Sequence, residues 1–208
     1  MNVLERFHEL YRADRYAYYW ENSNGRKGYA PARDDDEQPL PYTQDVVNAH
    51  LRAQKIIGIY PILNDGHSVQ YAAVDFDNCE FEDVLILYTF ARQLVPCYLE
   101  TSKSKGWHLS FFFNKPIDAK IVRAFIAYCL KESGFEGRVE IFPKQSNLDS
   151  GLDWGNLIRP PMTSGFTEKG RCAFLDPDLM FAPAESQAHF LYSIEQIKPD
   201  TLSEILEL

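Results

Sequence analysis

The sequence is short of cysteine, of long apolar runs and of positive charge, and each deficit excludes a class of protein. The 208 residues contain four cysteines, far apart and without a Cys-x-x-Cys pair: Cys79, Cys97, Cys129 and Cys172. This spacing suggests neither a zinc knuckle nor a disulfide framework, so we expect reduced thiols that lie mostly in the core. No stretch approaches the roughly 18 apolar residues of a membrane span, and the charged start lacks the apolar segment of a signal peptide. We therefore expect a cytoplasmic protein with no membrane partner.

Basic residues are outnumbered, since 21 Lys and Arg stand against 30 Asp and Glu and give a formal net charge of −9. This excess of negative charge repels a polyphosphate chain at long range, so any contact with nucleic acid needs a local basic patch or bound metal. Apolar residues make up 45% of the chain and charged residues 25%. These shares are typical of globular proteins and exclude disorder or a coiled coil for the whole chain, while the length suits a single domain.

The first third of the chain predicts two helices separated by a loop. Apolar residues at helical spacing in 3–18 predict an amphipathic helix that ends near the aromatic cluster at 16–20. The polar stretch 21–42, with an Asn-Gly pair, prolines and the acidic run 34–37, predicts a long solvated loop with little fixed structure. A threonine cap predicts a second helix over about 43–53.

From position 56 onward, the apolar residues follow a strand period. Segments 56–63 and 69–77 are rich in β-branched and aromatic residues, and Asn64-Asp65-Gly66 between them predicts a hairpin. Further predicted elements are helices at 81–95 and 118–133 and strands at 97–101, 107–113 and 138–142. The order from 69 to 142 is therefore strand, helix, strand, strand, helix, strand, which is the split βαβ or ferredoxin-like signature of an α+β fold.

This topology brings distant residues to one edge of the sheet. Right-handed crossovers place the first strand between the third and the fourth, both antiparallel to it. The end of the first strand then lies beside the beginnings of the other two, and these positions hold Asp75, Asp77, His108, Ser110 and Glu140. Because strand side chains alternate between faces, the two aspartates share one face, where three carboxylates and an imidazole converge.

Two aspartates one residue apart on an apolar strand are costly unless a cation neutralises them. Hard oxygen ligands suit Mg²⁺ or Mn²⁺, and Glu140 is placed to bridge to a second ion. Two such ions support in-line phosphoryl or nucleotidyl transfer, one lowering the pKa of an attacking hydroxyl and the other stabilising the leaving oxygen. The Asp75-x-Asp77 pair alone also fits a strand-end turn, but its predicted convergence with Glu140 and His108 favours a metal site.

The segment between the second and third strands predicts a phosphate-binding loop. It packs hydroxyls, ammonium groups and a glycine together: Ser102, Lys103, Ser104, Lys105 and Gly106. Side-chain and backbone donors at such density can wrap phosphates, although an ordinary polar turn fits the composition equally well. The loop passes over the sheet end that holds Asp75, and this favours binding of a nucleoside triphosphate with its metal.

Four more residues complete the predicted nucleotide site. His108 is placed to donate to a phosphate oxygen, with Ser110 on the same face, although a lone strand histidine is more often a satisfied core residue. Asn156 and Arg159 flank two apolar residues, as expected of a short strand that returns to the sheet. Arg159 is then available for a phosphate, and a salt bridge with one of the many acids is the alternative.

Taken in order, these motifs resemble the archaeo-eukaryotic primase superfamily. The resemblance covers the chain from about Phe7 to Phe174 and is strongest to the primase-polymerases of TOTE conflict systems and to CRISPR-associated primase-polymerases. The residues that carry it are the runs Ile57–Pro61, Ala73–Asp77, Glu100–His108, Phe142–Gln145 and Gly155–Ile158.

The resemblance implies one primase-polymerase domain over 1–208. Its expected parts are a smaller N-terminal α/β part at about 1–66, an RRM-like catalytic part at about 67–176 and a helical tail at about 177–208. The implied activity is template-dependent nucleotidyl transfer from ribo- or deoxyribonucleoside triphosphates to a 3′-hydroxyl, with two Mg²⁺ or Mn²⁺ ions. The implied partners are a single-stranded DNA template and a primer. Because the excess of acidic residues predicts weak affinity for DNA, we expect further domains or proteins to contribute to DNA binding.

Family roles carry over to individual residues by motif. Asp75 and Asp77 match the metal pair, His108 matches the phosphate-binding histidine, and Glu140 is the candidate third acid. Relatives in the TOTE branch carry Asp three residues before the Phe-Pro pair, whereas Glu140 lies two residues before Phe142.

Two other functions fit parts of the sequence. Clustered carboxylates with a lysine can equally activate water in a metal-dependent nuclease, which has no need of the Ser-Lys-rich loop. A non-catalytic RRM-type binder displays aromatic residues on its open sheet face for base stacking. Here the corresponding face carries Asp75, Asp77, His108 and Ser110, so stacking there is not expected.

Overall fold

Antiparallel strands and flanking helices build the protein, whose computed structural model describes residues 1–104, 106–148 and 154–207. The strands form a three-stranded sheet, a four-stranded sheet and a two-stranded ribbon. The predicted mixed α and β fold class is confirmed. The division of the chain near residues 66 and 176 stays a prediction.

The N-terminal part contains two helices and three strands. In chain order they are α1 (Val3–Leu10), β1 (Arg15–Glu21), β2 (Lys27–Pro31), α2 (Gln44–Leu51) and β3 (Ile57–Tyr60). The strands pair antiparallel in the order β2-β1-β3. Thr43 caps α2 by accepting the Val46 N–H, so the predicted start of this helix is confirmed.

The aromatic cluster at 16–20 lies in β1, so the prediction that the first helix reaches it is wrong. α1 begins at a capping box formed by Asn2 and Glu5 and ends at Leu10. Aromatic residues favour extended backbone, and β1 has β2 on one side and β3 on the other. Pairing on both edges outweighs the apolar spacing that continues the helical pattern to Tyr18.

The segment 21–42 is not a loop throughout, because it contains β2. At the tip, Asn22 Oδ1 accepts the N–H groups of Asn24 and Arg26, and Gly25 adopts φ +73°, which glycine tolerates best. The Asn-Gly signal in the sequence therefore marks a tight turn that folds β2 back on β1. The acidic run 34–37 is exposed, as predicted.

The second sheet has the predicted ferredoxin-like order. Its elements are β4 (Ser68–Phe76), α3 (Phe81–Leu94), β5 (Tyr98–Thr101), β6 (Trp107–Asp118), α4 (Ala119–Glu132) and β7 (Glu140–Phe142). The spatial order is β5-β6-β4-β7, and all neighbouring strands are antiparallel. The register sets Asp75 opposite His108 on one side and opposite Glu140 on the other. The predicted meeting of these three backbone positions is confirmed.

The turn at 64–66 joins strands of two different sheets, which corrects the predicted hairpin. Ile62 and Val69 form an isolated bridge across the turn, whereas β3 pairs with β1. Pro61 follows β3 and has no N–H to donate, so pairing is interrupted where the chain changes sheets. The short strand predicted near 156–159 also joins the N-terminal sheet, because Ile158 pairs with Ile59.

The chain after β7 packs across both parts. It contains β8 (Leu175–Asp176), β9 (Ala182–Pro183), α5 (Gln187–Ser193), α6 (Pro199–Ile205) and two 3₁₀ turns. Leu191 buries α5 against the N-terminal core, and Leu202 buries α6 in the core beneath α3 and α4. Along the described ranges, no helix combines the length and the apolar character needed to span a bilayer.

The two faces of the four-stranded sheet pack against different parts of the protein. Val74 and Phe76 face a core shared with α3 and α4. Tyr71 and Ala73 face the opposite way and pack against the N-terminal part. Asp75 lies on this second face at the end of β4, where a cavity separates the sheet from β1 and β2. The alternation along β4 thus places an acid at the point where the core ends.

Candidate active site

A cavity of about 390 Å³ lies between the end of the four-stranded sheet and the β1–β2 hairpin. Acidic side chains from β4 and β5 form one wall together with His108. Basic side chains from β2, from the loop after β5 and from the segment after residue 154 form the other wall. Among the predicted site residues, those that line the cavity are Asp75, Asp77, Ser102, Lys103, Ser104, His108 and Arg159.

Asp75 is more buried than Asp77. Its Oδ1 lies 3.6 Å from Nε2 of His108. Burial raises the pKa of Asp75 above its ordinary value; the nearby imidazole opposes this shift, while the charges of Asp77 and Glu140 add to it. The two other carboxylates therefore act on Asp75 at short range, which is the electrostatic situation that a divalent cation relieves.

Glu140 is opposite Asp75 in the β4–β7 register but does not line the cavity. Its side chain is half exposed, and its Oε2 forms an ion pair of 2.7 Å with Nζ of Lys144. Over the ranges that the structure describes, no three His, Cys, Asp or Glu side chains surround a common point as metal ligands. Of the three predicted acids, Asp75 and Asp77 line the cavity and Glu140 does not, and their joint role in holding metal stays a prediction.

His108 is held between acids on both sides. Its Nε2 faces Asp75, and its Nδ1 lies 3.7 Å from Oε2 of Glu100. Burial alone would lower the pKa of His108, but Glu100, Asp75 and Asp77 together outweigh it and raise the pKa above the ordinary value. A histidine in this setting carries positive charge more readily and becomes a stronger donor to a phosphate.

Glu100 is a site residue that the sequence reasoning missed. It is fully buried on β5, directly opposite His108 on β6. Its Oε1 accepts hydrogen bonds from Tyr11 OH at 2.8 Å and from Ser110 Oγ at 2.5 Å. One signal was available, because Glu100 is the only acid in the predicted strand 97–101 and a short connection to the next strand sets it beside His108.

Arg159 faces the cavity with unused hydrogen-bond donors. Its Nη2 donates to Thr163 Oγ1 at 3.3 Å. Its Nε and Nη1 are buried and have no hydrogen-bond partner within the described part of the chain. The guanidinium carbon lies 4.8 Å from the centre of the Phe166 ring, so the group is held beside an aromatic side chain. Burying donors of a charged group without acceptors is strongly unfavourable, so these two N–H groups are suited to an anion that enters the cavity.

Two lysines extend this basic wall. Nζ of Lys103 lies 4.6 Å from the centre of the Tyr19 ring. Burial lowers the pKa of Lys103, and the positive charges of Arg159 and Lys27 lower it further. Lys27 belongs to β2, in the segment predicted to be a loop, so sequence reasoning had no reason to place it here. Three cations in a protein of net charge −9 form the local basic patch that phosphate binding requires.

The loop after β5 is closed by its own hydrogen bonds. Ser102 Oγ accepts from the N–H of Gly106 at 3.0 Å and from the N–H of Ser104 at 3.3 Å. Gly106 does not line the cavity, and a Cβ at this position would lie 2.5 Å from the Phe76 carbonyl oxygen. This glycine therefore permits a close backbone approach. Lys105, also predicted to bind nucleotide, lies outside the described residues.

Besides Gly106, two further predicted nucleotide-binding residues do not line the cavity. Ser110 is fully buried beneath His108 and donates to Glu100. Asn156 is exposed, and its Oδ1 accepts from Nε2 of Gln145 at 2.7 Å. Ser110 turns inward, where Glu100 supplies a buried acceptor, whereas the Asn156 side chain meets Gln145 at the surface.

Comparison with solved structures finds distant likenesses. The archaeo-eukaryotic primase domain of the primase-polymerase from cyanophage S-2L is 14% identical, with a TM-score of 0.44 over 92% of this chain and 96% of that chain. The polymerase domain of Mycobacterium tuberculosis Ligase D, solved in complex with DNA, is 14% identical, with a TM-score of 0.46 over 99% of this chain and 88% of that chain. No curated protein sequence matches the chain.

A family model matches almost the entire sequence. The model describes the archaeo-eukaryotic primase domain of TOTE conflict systems, and the match spans residues 2–205. It includes both sheets and every residue that lines the cavity. The chain therefore belongs to the archaeo-eukaryotic primase domain family of TOTE conflict systems.

Proposed function

We propose that the protein is a primase-polymerase that transfers nucleotides from ribo- or deoxyribonucleoside triphosphates to the 3′-hydroxyl of a primer on a single-stranded DNA template. One observation carries this proposal. Asp75 and Asp77 line the same cavity of about 390 Å³ as Arg159, whose buried Nε and Nη1 have no hydrogen-bond partner among the described residues. A triphosphate chain with its divalent cation matches both walls at once, because the cation meets the carboxylates and the phosphates meet the cations.

The chain's own residues hold the nucleotide in this proposal. Arg159, Lys103 and Lys27 bind phosphate oxygens, and His108 donates to one of them from the opposite wall. Tyr19 and Tyr29 pack edge to face beside Lys103, with ring centres 5.6 Å apart, and close the cavity on the β1–β2 side. These contacts would orient the α-phosphate toward the primer terminus.

The aspartates fit a divalent metal, since two hard oxygen donors lie together and the pKa of Asp75 is raised by burial and by neighbouring acids. Asp75 and Asp77, with Glu140 as a candidate third ligand, would hold Mg²⁺ or Mn²⁺. Such ions lower the pKa of the attacking hydroxyl and stabilise the charge of the leaving pyrophosphate. Additional domains or proteins would raise the affinity for DNA.

The basic wall favours this function over the nuclease alternative. Lys27, Lys103 and Arg159 converge on one wall, an arrangement suited to several phosphates of one triphosphate. An RRM-type stacking role is disfavoured, because the aromatic residues on the corresponding sheet face, Tyr71 and Phe112, are buried under the N-terminal part.

The experiment is primer extension on single-stranded DNA with Asp75→Asn and Asp77→Asn combined. We expect extension to fall by about a thousandfold, since the loss of metal-linked charge stabilisation costs several kcal/mol. Asp35→Asn, a loss of one exposed carboxylate, serves as the matched control. Each nucleotide type is assayed with Mg²⁺ and with Mn²⁺.

A parallel reaction uses labelled oligonucleotide without nucleoside triphosphates. Full extension by the double variant would overturn the proposal. So would cleavage of the oligonucleotide that needs Asp75 and Asp77 but no triphosphate, because that result identifies a nuclease.

A further inference from the structure

Glu100 is a buried charge to which the proposed nucleotide contacts assign no role. Its side chain lies on β5 and is completely inaccessible to solvent. An ionised carboxylate in the protein interior is strongly destabilising unless neighbouring groups donate hydrogen bonds to it. The neighbours of Glu100 therefore indicate what the charge is for.

One oxygen of Glu100 is fully engaged. Oε1 accepts from the hydroxyl of Tyr11, at the end of α1, and from the hydroxyl of Ser110 on β6. The two donors approach from different elements and together fix the position of this oxygen. The N-terminal part thus reaches through Tyr11 to a group in the wall of the cavity.

The other oxygen of Glu100 faces a matching unsatisfied atom. Oε2 of Glu100 and Nδ1 of His108 are both buried, and neither has a hydrogen-bond partner within the described residues. They lie 3.7 Å apart, on residues that are directly opposite in the β5–β6 register. Hydrogen bonds of this kind are often long in ligand-free sites and shorten when the ligand binds.

We infer that Glu100 is a positioning residue that orients the His108 ring for the nucleotide, an inference that rests on the proposed function. A proton on Nδ1 directed at Oε2 holds the ring with Nε2 facing the cavity, beside Asp75. In the imidazolium form Nε2 carries the second proton, which is the one donated to a phosphate oxygen. A carboxylate behind an imidazole is a recurrent device for fixing both the tautomer and the orientation of the ring. Tyr11 and Ser110 act on His108 indirectly, because their hydrogen bonds hold the Glu100 carboxylate in place.

The first test uses the unmodified protein. Imidazole ¹H–¹⁵N spectra report which ring nitrogen of each of the five histidines carries a proton, and His108→Ala assigns the signals of His108. We expect a proton on Nδ1 of His108 with the downfield shift of a hydrogen bond to a carboxylate. An Nδ1 without a proton would overturn the inference, whatever the nucleotide affinity.

The second test compares Glu100→Gln, His108→Ala and the double variant. Gln keeps the volume and the acceptor for Tyr11 and Ser110 but directs an N–H at Nδ1, so the ring loses its anchor. We expect each single variant to raise the KM for the nucleotide by about tenfold with little change in kcat, as loss of a charge-assisted hydrogen bond predicts. The double variant should match His108→Ala alone, because Glu100 acts through His108.

Glu204→Gln, the same chemical change at an exposed position on α6, is the matched control. Effects of Glu100→Gln and His108→Ala that multiply in the double variant would contradict the inference, since they would mean independent roles. If Glu100→Gln does not fold, the spectra of the unmodified protein decide. Absence of nucleotide binding in the unmodified protein would instead overturn the proposed function, while the proton on Nδ1 would still report on the Glu100–His108 pair.

Discussion

Two buried histidines lie in opposite kinds of surroundings, His50 on α2 and His108 on β6. Both ring nitrogens of His50 contact backbone, with Nε2 3.0 Å from the Pro161 carbonyl oxygen and Nδ1 accepting the Ile57 N–H at 3.3 Å, and no carboxylate is among the contacts of either nitrogen within the described residues. His108 instead has a carboxylate near each ring nitrogen. Burial lowers the pKa of His50 to about 4, whereas the acids around His108 raise its pKa.

The contrast teaches that burial alone does not decide what a polar residue does in this fold. The ring of His50 is neutral with both nitrogens satisfied, so it joins α2 to the segment at 160–161 as part of the core. The ring of His108 keeps one nitrogen directed at the cavity. A buried group whose partners are charged and whose hydrogen bonds are incomplete therefore marks the site.

The largest effect that tests this comparison is an acid destabilisation caused by His50. Its pKa of about 4 lies below the ordinary value of 6.5, so between these pH values the unfolded chain binds a proton that the native protein does not. Stability from this residue is complete above pH 6.5 and is lost as the pH falls to about 4. We expect a loss of about 3 kcal/mol in the free energy of unfolding.

Urea unfolding at a series of pH values measures this loss. His50→Gln should unfold more easily at neutral pH but lack this component of the acid loss. His189→Gln, at an exposed histidine, is the control and should keep it. An unchanged acid dependence in His50→Gln would show that the two histidines do not differ as described.

The next effect concerns Arg159, which shares a contact to Thr163 with His50 and lines the cavity together with His108. The Thr163 hydroxyl is 3.3 Å from Nη2 of Arg159 and 3.3 Å from Nε2 of His50. Arg159→Lys keeps the charge but loses the planar set of donors, so we expect nucleotide affinity to fall by about tenfold. Isothermal titration with a non-hydrolysable triphosphate measures the change, and Arg92→Lys on the remote helix α3 is the control. Unchanged affinity would remove Arg159 from the phosphate site.

The smallest effect is expected at Lys27, the exposed end of the basic wall. Solvent and salt screen an exposed charge, so Lys27→Ala should weaken nucleotide binding by about two- to fivefold, and less at high salt. Lys115→Ala, an exposed lysine near the far end of β6, is the matched control. The same titration at low and high salt tests this, and a change that salt does not reduce would contradict an electrostatic role.

Alternation and topology made part of the site predictable. The order of elements from 69 to 142 placed Asp75 opposite His108 and Glu140, and the register agrees. Period-two alternation placed Asp75 and Asp77 on one side of β4, and both line the cavity. These are backbone properties, so they follow from short-range rules.

Other features escaped prediction because they depend on contacts between distant segments. The aromatic cluster at 16–20 continues a helical spacing, but pairing with β2 and β3 makes it a strand. Lys27 reaches the cavity only because the Asn-Gly turn folds β2 over β1. Glu140 sits at the predicted place, yet its carboxylate pairs with Lys144 rather than with the aspartates.

The sequence by itself determined the family, the ferredoxin-like order of the second sheet and the position of the aspartate pair, because local periodicity and chain order carry that information. Only the tertiary structure decided the surroundings of each side chain. It set Glu100 behind His108, turned Ser110 inward and Asn156 outward, and gathered three cations from separate segments onto one wall. Burial and electrostatics act through space, so residues far apart in the chain decide them together.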